Sequence, residues 1–151
     1  MVIRKADVKE YDVITALVRK TIEAVYPKYY PAGAVRFFLE HHKPEKILAD
    51  VNAGKVYVLE SDGVLAGTVT IDENEIARLF VKPSGQGSGL GRQLMDFAEN
   101  MIFGYSETIR LASSLPAKSM YIKRGYREKE YRKILTDNGD FLCYDVMEKV
   151  I

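Results

Sequence analysis

From Ala77 to Glu99 the sequence reads ARLFVKPSGQGSGLGRQLMDFAE. A short apolar run enters a stretch with glycine at 85, 87, 89 and 91, and an amphipathic helix follows. No other segment restricts the fold as much. A strand that feeds a glycine turn and then a helix leaves the first helical N–H groups without internal partners, and their partial positive charge faces the turn. Glycine lets the backbone approach a phosphate closely and take positive φ where needed. The segment is therefore a candidate anion site, and its spacing rejects two familiar loops. Gly91-Arg92-Gln93 lacks the Gly-Lys-Ser/Thr of a P-loop. The dinucleotide pattern Gly-x-Gly-x-x-Gly fails in every register, its last position falling on Leu90, Arg92 or Leu94. The pattern Gln/Arg-x-x-Gly-x-Gly/Ala is met by Gln86, Gly89 and Gly91. A plain glycine-rich turn stays open as an alternative on the loop alone.

Around this segment the chain alternates between periods of two and 3.6. Val2–Ala6 reads as a strand. Asp7 with Glu10 forms a capping box ahead of Val13, Ile14, Leu17, Val18, Ile22 and Val25 at helical spacing. Ala34–His42 and a segment from Pro44 to before Gly54 read as helices. Lys55–Ser61, Val64–Asp72 and Glu75–Lys82 read as strands of a meander. Leu90, Leu94, Phe97, Ala98, Met101 and Ile102 make one apolar stripe. Thr108–Ser114 is a strand, Pro116–Arg124 a short helix, and Tyr126–Thr136 with Phe141–Lys149 a hairpin turning around Asn138-Gly139. The expectation is one domain, residues 1–151, of α+β class: a mixed, mostly antiparallel central sheet flanked by helices. With 22 basic against 21 acidic residues, charge gives no support to polyanion binding. No signal-like start or membrane-length apolar run is present, so a cytoplasmic protein is expected. The lone Cys143 and the adjacent His41 and His42 suggest neither a disulfide nor a zinc site. The two histidines are expected at a helix end, facing solvent.

Glu75–Glu99 resembles, over its whole length, the central acetyl-CoA motif of the GCN5-related N-acetyltransferases (GNAT superfamily), including Val81-x-Pro83 before the loop. Ser114–Tyr126 resembles the second motif, Asn-x-x-Ala-x-x-Phe-Tyr-x-x-x-Gly-Phe/Tyr. Ala117, Tyr121, Gly125 and Tyr126 match it, while Ser114 replaces the usual Asn and Met120 the usual Phe. The two motifs cover about a quarter of the chain, and the order of elements extends the likeness over nearly all of it.

The resemblance implies a sheet splayed at an acetyl-CoA site. It implies pyrophosphate binding by the backbone of Gln86, Gly87, Ser88, Gly89, Leu90 and Gly91, with Arg92 just after. It implies pantetheine pairing along Leu79, Phe80 and Val81, with an oxyanion-binding N–H near Phe80 or Val81. Lys118, Lys123 and Arg124 are candidates for the 3′-phosphate, or else solvated helix charges. Tyr121 occupies the position of the tyrosine that donates to the leaving sulfur, because a phenol is protonated at neutral pH; the alternative is a packing tyrosine. Glu75 stands where family members often carry a base, and a solvated turn charge is the alternative. Tyr26, Tyr29 and Tyr30, on a connection stiffened by Pro27 and Pro31, are expected at the acceptor end of the cleft, or as an inward-packed plug.

The expected activity is transfer of an acetyl group from acetyl-CoA to a small-molecule or protein amine, with neither nucleic acid nor membrane as partner and a homodimer as the assembly to test. A non-enzymatic CoA-binding module is the rival, and a nucleotide-binding domain with a fortuitous loop the third reading.

Overall fold

The computed structural model describes all residues, Met1–Ile151. After β1 (Val2–Lys5), the Asp7 side chain accepts from Lys9 N–H and the Glu10 side chain accepts from Asp7 N–H, each at 2.8 Å. This reciprocal cap closes a single 3-10 turn, and α1 (Tyr11–Val25) starts directly after it. There follow α2 (Ala32–His41), α3 (Pro44–Asn52), β2 (Val56–Ser61), β3 (Val64–Asp72), β4 (Glu75–Val81), α4 (Leu90–Phe103), β5 (Thr108–Ser113), α5 (Lys118–Lys123), β6 (Arg127–Leu135) and β7 (Phe141–Val150). One 7-stranded sheet runs β1-β2-β3-β4-β5-β7-β6, and every neighbouring pair is antiparallel except β4–β5. The α+β fold with a mixed, mostly antiparallel sheet is the one expected.

Each face of the sheet carries its own core. On one, α4 lays Leu94, Met95, Ala98 and Ile102 against Val69, Ile76, Leu111 and Met147. On the other, α1 to α3 bring Ile14, Val18, Ile22, Ala34 and Ile47 against Val56, Val58, Phe80 and Leu142. Each large side chain so buried contributes ~1.5–3 kcal/mol. Both helical stripes differ in detail from the sequence pattern. Val13 is exposed, and Thr21 takes its place in the buried face by returning its hydroxyl to Leu17 O at 2.7 Å. On α4 Met95 is buried and Phe97 and Met101 only half so.

Glu99, on the same helix, is buried against three partners. Its carboxylate accepts from Arg124 Nε at 3.0 Å, Lys149 Nζ at 3.2 Å and the Tyr126 hydroxyl at 3.2 Å. Burial alone would raise its pKa, but the Arg124 and Lys149 charges outweigh that and hold it below the usual carboxylate range.

The sheet opens at one place. Along β3–β4 the register steps from Thr70↔Arg78 to Ile71↔Ile76, so Ala77 is an extra residue on β4 and forms a bulge. Strand β5 pairs with β4 only at Glu75↔Arg110 and Ile76↔Leu111, up to that bulge. A bulge bends its strand and increases local twist, which accounts for the separation beginning there.

At the far end of β6–β7, the tip docks on the N-terminus of α2. Asp140 Oδ2 accepts from Gly33 N–H at 2.8 Å, and a Cβ on Gly33 would lie 2.0 Å from Asn138 Oδ1. The turn is wider than Asn138-Gly139 alone suggests. Only Gly139 takes positive φ, and its N–H donates to Thr136 O at 3.1 Å.

Candidate active site

The glycine loop presents a row of backbone donors. Gly85 N–H donates to Lys82 O and Gln86 N–H to Pro83 O. From Gly87 through Ser88, Gly89, Leu90 and Gly91 to Arg92, no N–H has a protein acceptor, and the helical ladder resumes only with Gln93 N–H to Gly89 O at 3.1 Å. Gly87 and Gly89 adopt φ of +79° and +85°, and a Cβ on either would meet nothing within 4 Å. These glycines are needed for left-handed backbone and not for close packing within the protein. The result is a row of unpaired amides at a helix N-terminus, the arrangement that suits a phosphate. Gln86 departs from its expected part. Its amide is occupied, and its side chain donates to Val81 O at 3.3 Å, tying the loop to the end of β4. Arg92 is exposed next to the row.

The separated strands supply the second feature. Lys82 N–H donates to Ala66 O at 2.9 Å. Antiparallel ladders alternate, so Phe80 also turns its peptide group toward β3, while Leu79 and Val81 turn theirs toward the opening. Of the expected strand residues, Leu79 and Val81 turn backbone to the open edge, where Val81 O already accepts from Gln86 Nε2 at 3.3 Å and Thr21 Oγ1 at 3.4 Å, and Phe80 contributes its buried ring instead. The Phe80 N–H is therefore not among those turned toward the opening.

A cleft of about 450 Å³ occupies the opening, lined by both strands and by α2, β6 and β7. Tyr121 reaches it from α5, buried, with its ring edge-on to Tyr126 at 5.7 Å and its hydroxyl donating to no protein group. Burial pushes this phenol up to about 12, so it holds its proton at neutral pH. Glu75 lies at the start of β4, exposed, on the cleft wall and without an ion-pair partner.

The three tyrosines of the α1–α2 connection separate. Tyr26 lines the cleft, buried and edge-on to Phe38 at 4.8 Å; burial raises its pKa well above the usual tyrosine range, with Ser114 opposing. Tyr30 packs inward, and its hydroxyl accepts from Leu115 N–H at 2.7 Å, bracing the turn ahead of α5. Tyr29 is 50% exposed and lies outside the cleft wall. The acceptor-wall expectation therefore fits Tyr26 alone; Tyr30 is the inward-packed plug and Tyr29 is a surface residue.

Two basic candidates are also accounted for otherwise. Arg124 is spent on Glu99 and on Asp96, at 2.8 and 2.6 Å. Lys118 pairs with Asp145 at 2.7 Å and Glu128 at 2.9 Å. Lys123 is exposed and unpaired.

Two residues not expected at the cleft line its wall, His42 and Arg78. His42 is half-buried on the cleft wall, not in solvent, and its Nδ1 accepts from Arg78 Nε at 3.0 Å. Burial first, then the Arg78 charge, depress its pKa to about 3. His41, at the rim, stacks on Phe37 at 5.9 Å. Arg78 itself is buried and also donates to Asp50 at 3.0 Å and Thr70 Oγ1 at 3.1 Å. The one available signal was an arginine within an otherwise apolar strand, the kind of charge that needs partners when buried.

Comparison with known proteins agrees with this fold. Residues 25–140 match the family model described as an acetyltransferase (GNAT) domain. A GCN5-related N-acetyltransferase structure from Rhodopseudomonas palustris aligns with TM-score 0.88 at 21% identity, covering 99% of this chain and 95% of that one. The PaiA N-acetyltransferase of Thermoplasma acidophilum, in complex with coenzyme A, aligns at 0.77 and 22% over 99% and 98%. A putative acetyltransferase of Salmonella typhimurium, with its cofactor acetyl-CoA, aligns at 0.75 and 17% over 99% and 93%. No curated protein matches the sequence. No helix is long and apolar enough to cross a membrane.

Proposed function

Since this chain belongs to the GNAT acetyltransferase family, we propose that it transfers the acetyl group of acetyl-CoA to an amine by direct attack, as a single domain. The observation that carries the proposal is the track of unpaired backbone on either side of one turn. The open edge of β4 borders, at Leu79, the cleft into which Tyr121 reaches, and beyond the turn that follows β4 come the acceptor-free amides from Gly87 to Arg92. The track fits coenzyme A: a row of donors for pyrophosphate, with room where no Cβ intrudes, then a strand edge for an amide-bearing arm.

In this reading the amine lone pair attacks the thioester carbonyl, a C–N bond forms, and the C–S bond breaks to release the thiolate. The N–H groups of Leu79 and Val81 are the preset donors available to the carbonyl oxygen as it gains charge. Tyr121 donates to the departing sulfur. Glu75 accepts the ammonium proton, directly or through water. Tyr26 forms part of the wall around the acceptor, which is a small-molecule or protein amine.

A panel of amines assayed for free-thiol release from acetyl-CoA tests the proposal. Amine-dependent release is the expected result. Tight acetyl-CoA binding with no release for any amine would favour the rival, a CoA-binding module without turnover.

A further inference from the structure

The acceptor end of the cleft contains two nitrogen donors that the fold leaves unused. Arg78 spends Nε on His42 and Nη1 on Asp50 and Thr70, but its Nη2 has no protein acceptor. Because His42 Nδ1 accepts, the neutral ring carries its proton on Nε2, and that N–H also has no acceptor. Thr15 Oγ1 is the one side-chain polar atom sealed away without a partner, so neither nitrogen is fully sealed. Both residues line the cleft, and His42 also forms the partition from a smaller hollow of about 140 Å³ beneath α1.

A buried guanidinium is costly unless its donors are satisfied. Asp50 meets part of that need through Nη1. The remainder calls for an oxygen, preferably anionic, and Arg78 stands on the strand one residue before Leu79, whose peptide faces the reaction. Among the other ionisable groups on the wall, Arg132 is paired with Glu130 at 3.0 Å, while Arg110 and Glu75 have no ion-pair partner. The cleft therefore offers unspent cationic donors beside one free carboxylate, which matches a ligand bearing both signs.

Building on the acetyltransferase reading, we infer that Arg78 Nη2, on a guanidinium steadied by His42 and Asp50, forms a carboxylate subsite, and that the acceptor is a free amino acid whose amine is held beside Glu75 and the opening of the sheet.

The test has two arms. In the first, free amino acids are compared with their amides and their decarboxylated amines in thiol release from acetyl-CoA. The expected kcat/KM is about 10- to 100-fold higher with the carboxylate present, the usual worth of a hydrogen bond to a charged group. Arg78→Met should erase that preference while the KM for acetyl-CoA holds; His42→Gln should weaken it through the amino-acid KM. In the second arm, N-acetyl amino acids and their amides are titrated calorimetrically into the protein with coenzyme A present, which needs no turnover. Binding of the carboxylates alone, lost in Arg78→Met, is the expected result. Equal turnover of amides and decarboxylated amines overturns the subsite and leaves the transferase reading intact. Absence of thiol release with every amine counts against the transferase reading, and the calorimetric arm then decides the subsite by itself. If folding of Arg78→Met fails, Arg78→Lys, which keeps the charge and loses the fork, serves in both arms.

Discussion

Replacing Tyr121 by Phe removes a hydroxyl that makes no hydrogen bond within the protein and keeps a ring packed edge-on to Tyr126 at 5.7 Å. Stability should therefore change by less than ~1 kcal/mol, since no internal bond is lost. The effect on turnover can be bounded from the phenol's environment. Burial places it at about 12. Complete proton transfer to a thiolate, whose acid titrates near ~8.5, would run uphill by roughly 5 kcal/mol. Tyr121 is better suited to donating a charge-assisted hydrogen bond to the sulfur as the bond breaks. Such a bond is worth ~1.5–3 kcal/mol, so the chemical step should slow about 10- to 150-fold. That lies at or below the low end of the ~10²–10⁴ usual for full acid–base assistance. Acetyl-CoA affinity should move by less than about tenfold. Single-turnover kinetics isolate the chemical step, calorimetry gives the affinity, and a urea titration checks the fold. An unchanged chemical rate would reduce Tyr121 to a packing residue, and a loss well beyond 10⁴ would mean that complete proton transfer, not a hydrogen bond, is being removed.

Gly89→Val should cost ~1–2 kcal/mol of stability from the left-handed backbone alone, because a side chain there meets open space, and should weaken acetyl-CoA binding by more than that strain explains; a folded variant with unchanged affinity by calorimetry would remove the loop from the site. Gly33→Ala should free the β6–β7 tip from α2, since its Cβ would lie 2.0 Å from Asn138 Oδ1 and 2.4 Å from Thr136 Oγ1. The predicted loss is at least ~1 kcal/mol in urea unfolding, partly restored by adding Asn138→Gly; additive costs in the double variant would refute the clash. His42, depressed to about 3, should show no NMR titration between pH 5 and 8. The sign follows: as pH falls below the ~6.5 of an unfolded histidine, the unfolded chain gains a proton that the folded one refuses, so this group's contribution to stability declines toward acid. A midpoint near 6.5 in the folded protein would mean that the ring is neither buried nor held against Arg78.

What the sequence made legible was what period and punctuation encode. Alternation marked the strands, glycine spacing marked the loop, and Pro44 marked the start of α3. Residues whose place depends on a distant partner were not legible. Glu99 looks like a solvent-facing position of α4 until Arg124, Tyr126 and Lys149, from two later segments, close around it. Arg78 interrupts an apolar strand without explanation until α3 brings Asp50 and the end of α2 brings His42. Tyr26 and Tyr30 flank the same short turn yet diverge, one into the cleft and one onto Leu115 N–H. Proline stiffness limited the backbone of that turn, but ring direction was set by what packs against it. The bulge at Ala77 has neither glycine nor proline to announce it.

That bulge ties the fold to the chemistry. Buried backbone N–H and C=O groups are almost always paired, so a protein that leaves a run of them free must keep them wet or hand them to a ligand. Here the free groups form two runs, the β4 edge beyond Ile76 and the amides from Gly87 to Arg92, joined along the chain by the turn at Pro83–Gly85. Inserting Ala77 is what shifts the strand out of register with β3 at the point where β5 departs. Had β5 continued alongside β4, the edge at Leu79 and Val81 would be spent within the sheet, and no open strand would lead from the loop to Tyr121. A ligand occupying both runs would pair donors that have no acceptor within the protein. Deleting Ala77 offers a direct check on this connection. It should lengthen the β4–β5 pairing seen by amide hydrogen exchange and abolish acetyl-CoA binding in a protein that still folds. A folded deletion variant that binds acetyl-CoA normally would separate the bulge from the opening and leave the splay to be explained by the loop alone.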